Sequence, residues 1–226
     1  MKLLLFDIDG TLVLSGGAGK RAMNRVFEEL YGFENVMEGI FLSGRTDDKI
    51  MMDAYAKAGI AFSYEELGRF KSRYFERIKQ EMEAAHNGKQ LMPGVAELLP
   101  VLHERKDVCL ALLTGNWEQG GRTKIGWFGI DHYFPFGAFS DDSPERAELV
   151  PIAVRRFAER YGHTPRPSEV FVIGDTPADI ECAKPHGVVS VAVAAAGHTL
   201  DDLRPHGPDV LWPDLTDLPT VLSILG

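Results

Sequence analysis

Two aspartates separated by a single residue directly follow the first apolar run of the chain. Residues 3–6 are Leu-Leu-Leu-Phe, Asp7 and Asp9 come next with Ile8 between them, and a Gly-Thr turn occupies residues 10–11. A short apolar run bounded by turn residues is typical of a buried strand in a parallel sheet. Because neighbouring strand residues point to opposite faces, both carboxylates can lie on one side while Ile8 packs on the other. Two acids at a buried strand end predict a metal-dependent or acid–base site; a solvated Asp-Gly turn is the alternative.

Two further apolar runs end in polar residues of the same kind. Residues 108–113 lead into Thr-Gly-Asn at 114–116, and residues 170–173 lead into Gly-Asp-Thr at 174–176, with Asp179 one helical turn later. The carboxyl ends of parallel strands lie at one edge of a sheet, where α/β proteins bind their ligands. We therefore expect the three clusters to converge on one site, which favours chemistry over a solvated turn.

The order of helical and strand-like segments predicts a two-part architecture. Apolar residues with helical spacing mark three helices, at residues 16–31, 46–59 and 63–82. No convincing strand lies within residues 14–90, whereas strands and helices alternate in the second half of the chain, which favours a doubly wound parallel sheet. The sequence thus predicts an α/β core domain of residues 1–13 and 91–226, with an all-helical cap domain of residues 14–90 inserted after the first strand.

Composition and charge narrow the expected partners. The 226-residue chain carries 24 Lys and Arg against 33 Asp and Glu, a formal charge of -9, without a basic cluster. Such a surface repels a phosphodiester backbone, so nucleic acid is not expected as a partner. Cys109 and Cys182 have no Cys-x-x-Cys spacing, which is typical of reduced cysteines in a cytosolic protein. No apolar run approaches a membrane span, so we expect a cytoplasmic protein without a membrane partner; the oligomeric state stays open.

The polar strand ends carry a family resemblance. FDIDGTL at residues 6–12 and VIGDTPADIECA at residues 172–183, with Thr114 at a strand end between them, resemble the haloacid dehalogenase-like (HAD) hydrolase superfamily. The resemblance covers essentially the whole chain, and the helical insertion is similar to the small cap of phosphoglycolate-phosphatase-like members. It implies a HAD-like Rossmannoid core, a magnesium-dependent phosphatase activity and a small phosphorylated metabolite as the substrate.

The resemblance also implies a role for each polar residue. Asp7 would attack phosphorus and form an aspartyl-phosphate, while Asp9 would protonate the leaving oxygen and then deprotonate the attacking water. Mg²⁺ prefers oxygen ligands, and the expected set is Asp7, the backbone carbonyl of Asp9, and Asp175. Asp179 would support the metal from outside this set or orient the basic residue, and an ordinary acid in the first turn of a helix is the alternative. Hydroxyls and backbone amides would hold the phosphate oxygens, at Gly10, Thr11, Thr114, Gly115 and Asn116.

The basic residue is the point at which the sequence departs from the family pattern. The usual Lys-Pro is absent from the loop before the helix at residues 145–161, and Arg146 stands near that place. Lys124 is the alternative, but its position in the middle of a helix predicts a surface side chain. Arg146 is therefore the expected catalytic cation, because a guanidinium keeps its charge at any working pH.

One residue of the helical insertion is a candidate for substrate binding. Thr46 is expected to cap the helix that begins there, whereas Arg45 beside it has no comparable structural reason. We expect Arg45 to face the core and bind the phosphate or a carboxylate of the substrate. A solvated surface arginine is the alternative.

The presence of Asp9 also distinguishes between the reaction classes of the family. Dehalogenases need no acid for a halide leaving group and lack this second aspartate, so Asp9 favours phosphoryl transfer between oxygens. The sequence accordingly predicts a magnesium-dependent phosphatase of phosphoglycolate-like metabolites. A sugar phosphomutase and a non-catalytic regulator on the same fold are the alternatives.

Overall fold

The first strand of the chain lies in the middle of a six-stranded parallel sheet. The computed structural model describes residues 1–226. Its strands are β1 (Lys2–Phe6), β2 (Val13–Ser15), β3 (Lys89–Leu91), β4 (Val108–Leu113), β5 (Gly137–Ala138), β6 (Val170–Gly174), β7 (Val189–Val193) and β8 (Val210–Trp212). Six of them pair in parallel in the order β5-β4-β1-β6-β7-β8. The predicted α/β fold with a parallel sheet is confirmed.

Helices cover both faces of this sheet. They are α1 (Ala18–Tyr31), α2 (Asp47–Ala58), α3 (Tyr64–Glu83), α4 (Val95–His103), α5 (Glu118–Trp127), α6 (Arg146–Tyr161), α7 (Pro177–Ala183), α8 (Leu200–Leu203) and α9 (Leu218–Leu225). Leu4 and Phe6 of β1 pack in an apolar cluster with α4, α5 and α9, while Leu3 and Leu5 pack with α6 and α7. A strand buried on both faces needs this unbroken apolar run, and the same alternation directs Ile8 into the first cluster. None of the helices is both long enough and apolar enough to cross a membrane.

The helices α1, α2 and α3 share an apolar cluster of their own. It contains 17 buried residues, and all but Trp117 lie between Ala18 and Met82. Trp117 comes from the loop after β4 and is fully buried. Its ring packs edge-on against Tyr74 with the centroids 5.2 Å apart, and its Nε1 donates to Asp48 Oδ1 at 2.6 Å. This one side chain therefore joins the helical insertion to the parallel sheet.

A short antiparallel ribbon forms where the chain leaves the sheet and returns to it. β2 and β3 pair with Val13 opposite Leu91 and Ser15 opposite Lys89. The expectation that residues 14–90 contain no strand was wrong at both ends of this range. Each strand has only three residues, too few for an alternating pattern to stand out in the sequence.

The helix termini follow the sequence signals except at α2. Ser63 accepts a hydrogen bond from the backbone N–H of Glu66, and α1 and α2 end at left-handed Gly32 and Gly59, residue types that commonly occupy these positions. Thr46, however, does not cap α2 with its side chain. Its Oγ1 donates instead to the backbone carbonyl of Pro144 at 2.7 Å, so it links the insertion to the loop before α6.

Candidate active site

Three buried carboxylates meet at the carboxyl edge of the sheet. Asp7 follows β1, Asp175 follows β6, and Asp179 lies in the first turn of α7. One carboxylate oxygen from each lies within 4.8 Å of the other two. The parallel pairing of β1 and β6 produces this arrangement, because it brings the backbone N–H of Asp7 to the carbonyl of Ile173 at 2.9 Å.

Arg146 is the cation of this acidic cluster. It begins α6 and is buried, with its Nη2 3.1 Å from Asp7 Oδ1 and hydrogen-bonded to Asp179 Oδ1. Its Nη1 donates to the backbone carbonyl of Gly44 at 3.3 Å, and its Nε is buried without a partner. The structure thus places Arg146 beside the predicted nucleophile.

Lys124 also lies in the site, so the expectation of a surface side chain was wrong. It is only 5% exposed, and its Nζ donates to Asp9 Oδ2 at 2.5 Å and to Asn116 Oδ1 at 2.7 Å. The helix α5 turns this residue inward, because it packs against α3 on one side and the strand ends on the other. The two cations that the sequence offered as alternatives therefore contact different acids, Arg146 the buried cluster and Lys124 the second aspartate.

The side chain of Asp9 is more exposed to solvent than that of Asp7. Its side chain is 41% exposed, and its Oδ2 accepts a second hydrogen bond, from Asn116 Nδ2 at 2.9 Å. The same amide nitrogen donates to Thr114 Oγ1 at 2.9 Å. Ser15 in the ribbon approaches from the other side, with its Oγ 3.4 Å from Asp9 Oδ1. Asp9 is thus held in place by neighbouring side chains while one face of its carboxylate stays open.

The predicted phosphate-binding residues divide into two groups. Gly10, Thr114, Gly115 and Asn116 line a cavity of about 340 Å³ that opens onto Asp7 and Asp9. Thr11 is fully buried outside that lining, and its Oγ1 donates to Asp175 Oδ1 at 3.1 Å. The structure directs the Thr11 hydroxyl to the acidic cluster and not to a phosphate, so that expectation is corrected.

The segment before α2 covers the cavity from the side of the insertion. A Cβ at Gly115 would collide with the backbone carbonyl of Arg45, so this close approach requires glycine. The Arg45 guanidinium does not reach the acids: its Nη1 pairs with Asp53 Oδ2 at 2.6 Å and donates to the Phe41 carbonyl at 3.2 Å. Arg45 lies at the cavity wall as expected, but its charge is already neutralised within the insertion.

Two acids of the insertion are part of the site and were missed. Asp47 and Asp48 read in the sequence as ordinary acids in the first turn of α2. In the structure both are buried: Asp47 Oδ2 accepts from the backbone N–H of Trp117 at 2.8 Å, and Asp48 binds the Trp117 ring nitrogen. Only Asp47 also lines the cavity. In the sequence, Asp47 and Asp48 are an adjacent pair of acids shortly after Gly44 and Arg45, and no sequence rule separates such a pair from an ordinary helix start.

The electrostatics of the three-acid cluster fit a divalent metal ion. Burial raises the pKa of Asp7 to about 6. Burial, followed by repulsion from Asp179 and Asp7, raises the pKa of Asp175 to about 8. When all three carboxylates are ionised, one guanidinium leaves two negative charges uncompensated, and ionised carboxylate oxygens are the ligands that Mg²⁺ prefers. Asp179 also belongs to this cluster, and both of its oxygens are engaged: Oδ1 accepts from Arg146, and Oδ2 accepts from the backbone N–H and the hydroxyl of Thr176.

We expect the stability of the protein to depend jointly on pH and Mg²⁺. Because Asp7 and Asp175 hold protons more tightly in the folded chain than in the unfolded one, their burial lowers the free energy of unfolding as pH rises from about 4 to about 8 without metal. Bound Mg²⁺ would offset this loss, so the rise in melting temperature on adding Mg²⁺ should be greater at about pH 8 than at about pH 5. Melting curves across this range test the expectation. Asp175→Asn should lose most of the Mg²⁺-dependent rise, and an unchanged rise in that variant would contradict the assignment.

The sequence matches one family model and several curated relatives over most of its length. The model of the haloacid dehalogenase-like hydrolases matches residues 4–184. The phosphoglycolate phosphatase of Synechococcus elongatus is 25% identical over 218 residues, 96% of this chain and 95% of the relative. That of Vibrio vulnificus is 28% identical over 233 residues, 99% and 97% of the two chains. The pyrophosphatase PpaX of Halalkalibacterium halodurans is 24% identical over 225 residues, 99% and 96% of the two chains.

Solved structures give the same result for the fold. A predicted phosphoglycolate phosphatase from Haemophilus somnus superposes with a TM-score of 0.71 at 22% identity, covering 98% of both chains. CbbY from Rhodobacter sphaeroides, solved in complex with phosphate, superposes with a TM-score of 0.74 at 19% identity, covering 96% of both chains. The resemblance seen at the strand ends is confirmed, and the chain belongs to the haloacid dehalogenase-like hydrolases.

Proposed function

We propose that this hydrolase is a magnesium-dependent phosphatase that acts on small phosphorylated metabolites through an aspartyl-phosphate on Asp7. One observation carries the proposal: Asp7 belongs to the buried acidic cluster that Arg146 contacts, and it also lines an open cavity together with Asp9. The phosphatase and pyrophosphatase names of the relatives support hydrolysis at phosphorus.

Asp7 is the nucleophile in this proposal. Uncatalysed hydrolysis of phosphate monoesters is extremely slow, and a covalent intermediate divides it into two easier steps. Arg146 keeps the Asp7 carboxylate ionised and aims it, since its Nη2 lies 3.1 Å from Oδ1. Asp7, the backbone carbonyl of Asp9 and Asp175 would hold Mg²⁺, with Asp179 orienting Arg146 beside them, and the ion would neutralise negative charge on the phosphoryl oxygens.

Asp9 moves the proton in both steps. As the Asp7 oxygen–phosphorus bond forms, the ester bond breaks and the leaving oxygen takes its proton from Asp9. A water molecule then attacks phosphorus, Asp9 takes the proton of that water, and inorganic phosphate leaves a regenerated Asp7. Lys124 and Asn116 act as positioning residues here, because both bind the same oxygen of Asp9.

The cavity supports a small substrate. Its volume of about 340 Å³ suits a compound of the size of phosphoglycolate better than a macromolecule. We propose that residues 14–90 form the cap predicted from the sequence and that this cap excludes water while the ester is cleaved. The names of the relatives make 2-phosphoglycolate the reference substrate for assays.

We expect Mg²⁺-dependent release of phosphate from p-nitrophenyl phosphate. Asp7→Asn should reduce kcat by about a thousandfold or more, since it removes the nucleophile. Asp107→Asn, at an exposed acid remote from the cavity, serves as the control and should retain full activity. No Mg²⁺-dependent release would contradict the phosphatase and leave a non-catalytic regulator. A strict requirement for a sugar bisphosphate, with little free phosphate released, would identify a phosphomutase instead.

The two buried cations should give different kinetic defects. Arg146→Ala should lower kcat similarly for all esters, because the residue acts on Asp7. Lys124→Met should impair an alkyl phosphate such as β-glycerophosphate about tenfold more than p-nitrophenyl phosphate, whose leaving group needs no proton from Asp9. Lys106→Met, at an exposed lysine, is the matched control. If Arg146→Ala kept nearly full activity while Lys124→Met lost it for both esters, the assignment of the two cations would be reversed.

A further inference from the structure

Asp47 is an acid of the helical insertion that faces the cavity without a cation of its own. It begins α2, is 7% exposed and lines the cavity. Its Oδ2 accepts from the backbone N–H of Trp117, and its carboxylate forms no salt bridge; burial raises the pKa of Asp47 more than the nearby Lys124 ammonium lowers it, and that ammonium is paired with Asp9. A buried carboxylate satisfied on one oxygen leaves the other able to accept a hydrogen bond from a bound molecule.

The cations around the same cavity are all engaged by other acids. Arg146 contacts Asp7 and Asp179, while three further ion pairs complete the set: Lys124 with Asp9 at 2.5 Å, Arg45 with Asp53 at 2.6 Å and Lys20 with Glu38 at 2.8 Å. A second anionic group on a substrate would therefore find no unpaired positive charge in the cavity. It would instead meet Asp47.

Tyr74 adds a second polar group beside Asp47. Its ring is buried on α3, and its hydroxyl makes no hydrogen bond within the chain. The hydroxyl and the Lys124 ammonium both lie next to Gly19, at the wall of the cavity. Apolar side chains complete this part of the wall, from Met23, Leu42 and Ile50. The insertion thus offers one carboxylate acceptor and one hydroxyl beside these apolar side chains.

We propose that Asp47 determines which leaving group the enzyme accepts, favouring a hydroxyl or ammonium hydrogen-bond donor and rejecting a carboxylate or a second phosphate. The proposal rests on the proposed phosphatase function and narrows its substrate class: we expect a substrate of the size of phosphoglycolate, but without a carboxylate. Two like charges several ångströms apart in a partly buried cavity repel strongly enough to change rates by about tenfold or more. A donor group at the same place would gain a charge-assisted hydrogen bond.

Three esters that differ only in their terminal group test this inference. They are 2-phosphoglycolate, 2-hydroxyethyl phosphate and O-phosphoethanolamine, which carry a carboxylate, a hydroxyl and an ammonium. Assays run at about pH 8, because burial raises the pKa of Asp47 to about 7. We expect kcat/KM for 2-phosphoglycolate to be at least about tenfold below that for either other ester. In Asp47→Asn, which keeps an oxygen for the Trp117 N–H, this ratio should shrink to within about threefold.

Asp48→Asn is the matched control. Asp48 lies on the same turn and also binds Trp117, but it does not line the cavity. A purely structural role of this turn would lower the rates of both variants without changing the ratio, whereas we expect Asp47→Asn alone to change it.

The possible results separate this inference from the proposed function. Equal rates for the carboxylate and hydroxyl esters in the unmodified enzyme would overturn the inference, as would an unchanged ratio in Asp47→Asn. Turnover of p-nitrophenyl phosphate with none of either donor-bearing ester would also overturn it. Absence of Mg²⁺-dependent turnover of p-nitrophenyl phosphate itself would contradict both the phosphatase proposal and this inference.

Discussion

The repulsion among buried carboxylates is the constraint on which the rest of the structure depends. Asp7, Asp175 and Asp179 lie within a few ångströms of one another at the carboxyl edge of the sheet, where little solvent reaches them. Such a cluster is unfavourable unless cations and hydrogen-bond donors surround it. Arg146 at the start of α6 supplies one charge, and the hydroxyl of Thr11 supplies a hydrogen bond to Asp175. The remaining negative charge is the physical reason for proposing a divalent metal ion.

The same edge of the sheet also receives the helical insertion. Around the start of α2, the backbone N–H of Asp47 donates to the Gly115 carbonyl at 2.7 Å and that of Asp48 to Ser140 Oγ at 3.0 Å. Trp117 in turn inserts into the helical cluster. Because one of these contacts is made to Gly115, a change in the position of the insertion would shift the neighbouring Asn116. Asn116 in turn donates a hydrogen bond to Asp9, so the shift would also change the position of Asp9. The insertion and the acidic site therefore form one structural unit.

The strand ends could be predicted because the sequence encodes them locally. Asp7, Asp9, Thr114 and Asp175 each follow an apolar run whose length and composition indicate a buried parallel strand, and the topology rule then brings them together. Arg146 was expected from its place before a helix. Its contacts with Asp7 and Asp179 agree with that expectation.

Residues whose roles depend on tertiary contacts could not be predicted in this way. The helical periodicity of α5 shows that the helix has a buried face and an exposed face, but not that Lys124 on the buried face contacts Asp9. The neighbouring Gly120-Gly121 pair, which permits close packing on Tyr74 and Ile8, was the available signal. The ion pair of Arg45 with Asp53 could not be foreseen, because it depends on the path of the chain between residue 45 and α2. The side chain of Asp47 looked like a helix-start acid, and only its burial beside the cavity gives it another meaning.

The central claim is that Asp7 carries the phosphoryl group during turnover, and trapping that species tests it most directly. Asp9→Asn should slow the attack of water more than the first step with p-nitrophenyl phosphate, because nitrophenolate leaves without a proton. Acid quenching followed by peptide mass spectrometry should then find one phosphoryl group on the peptide that contains Asp7, with a burst of nitrophenolate equal to the enzyme concentration. A burst with the phosphoryl group on another residue, or steady release of phosphate without any protein-bound phosphoryl group, would contradict the account.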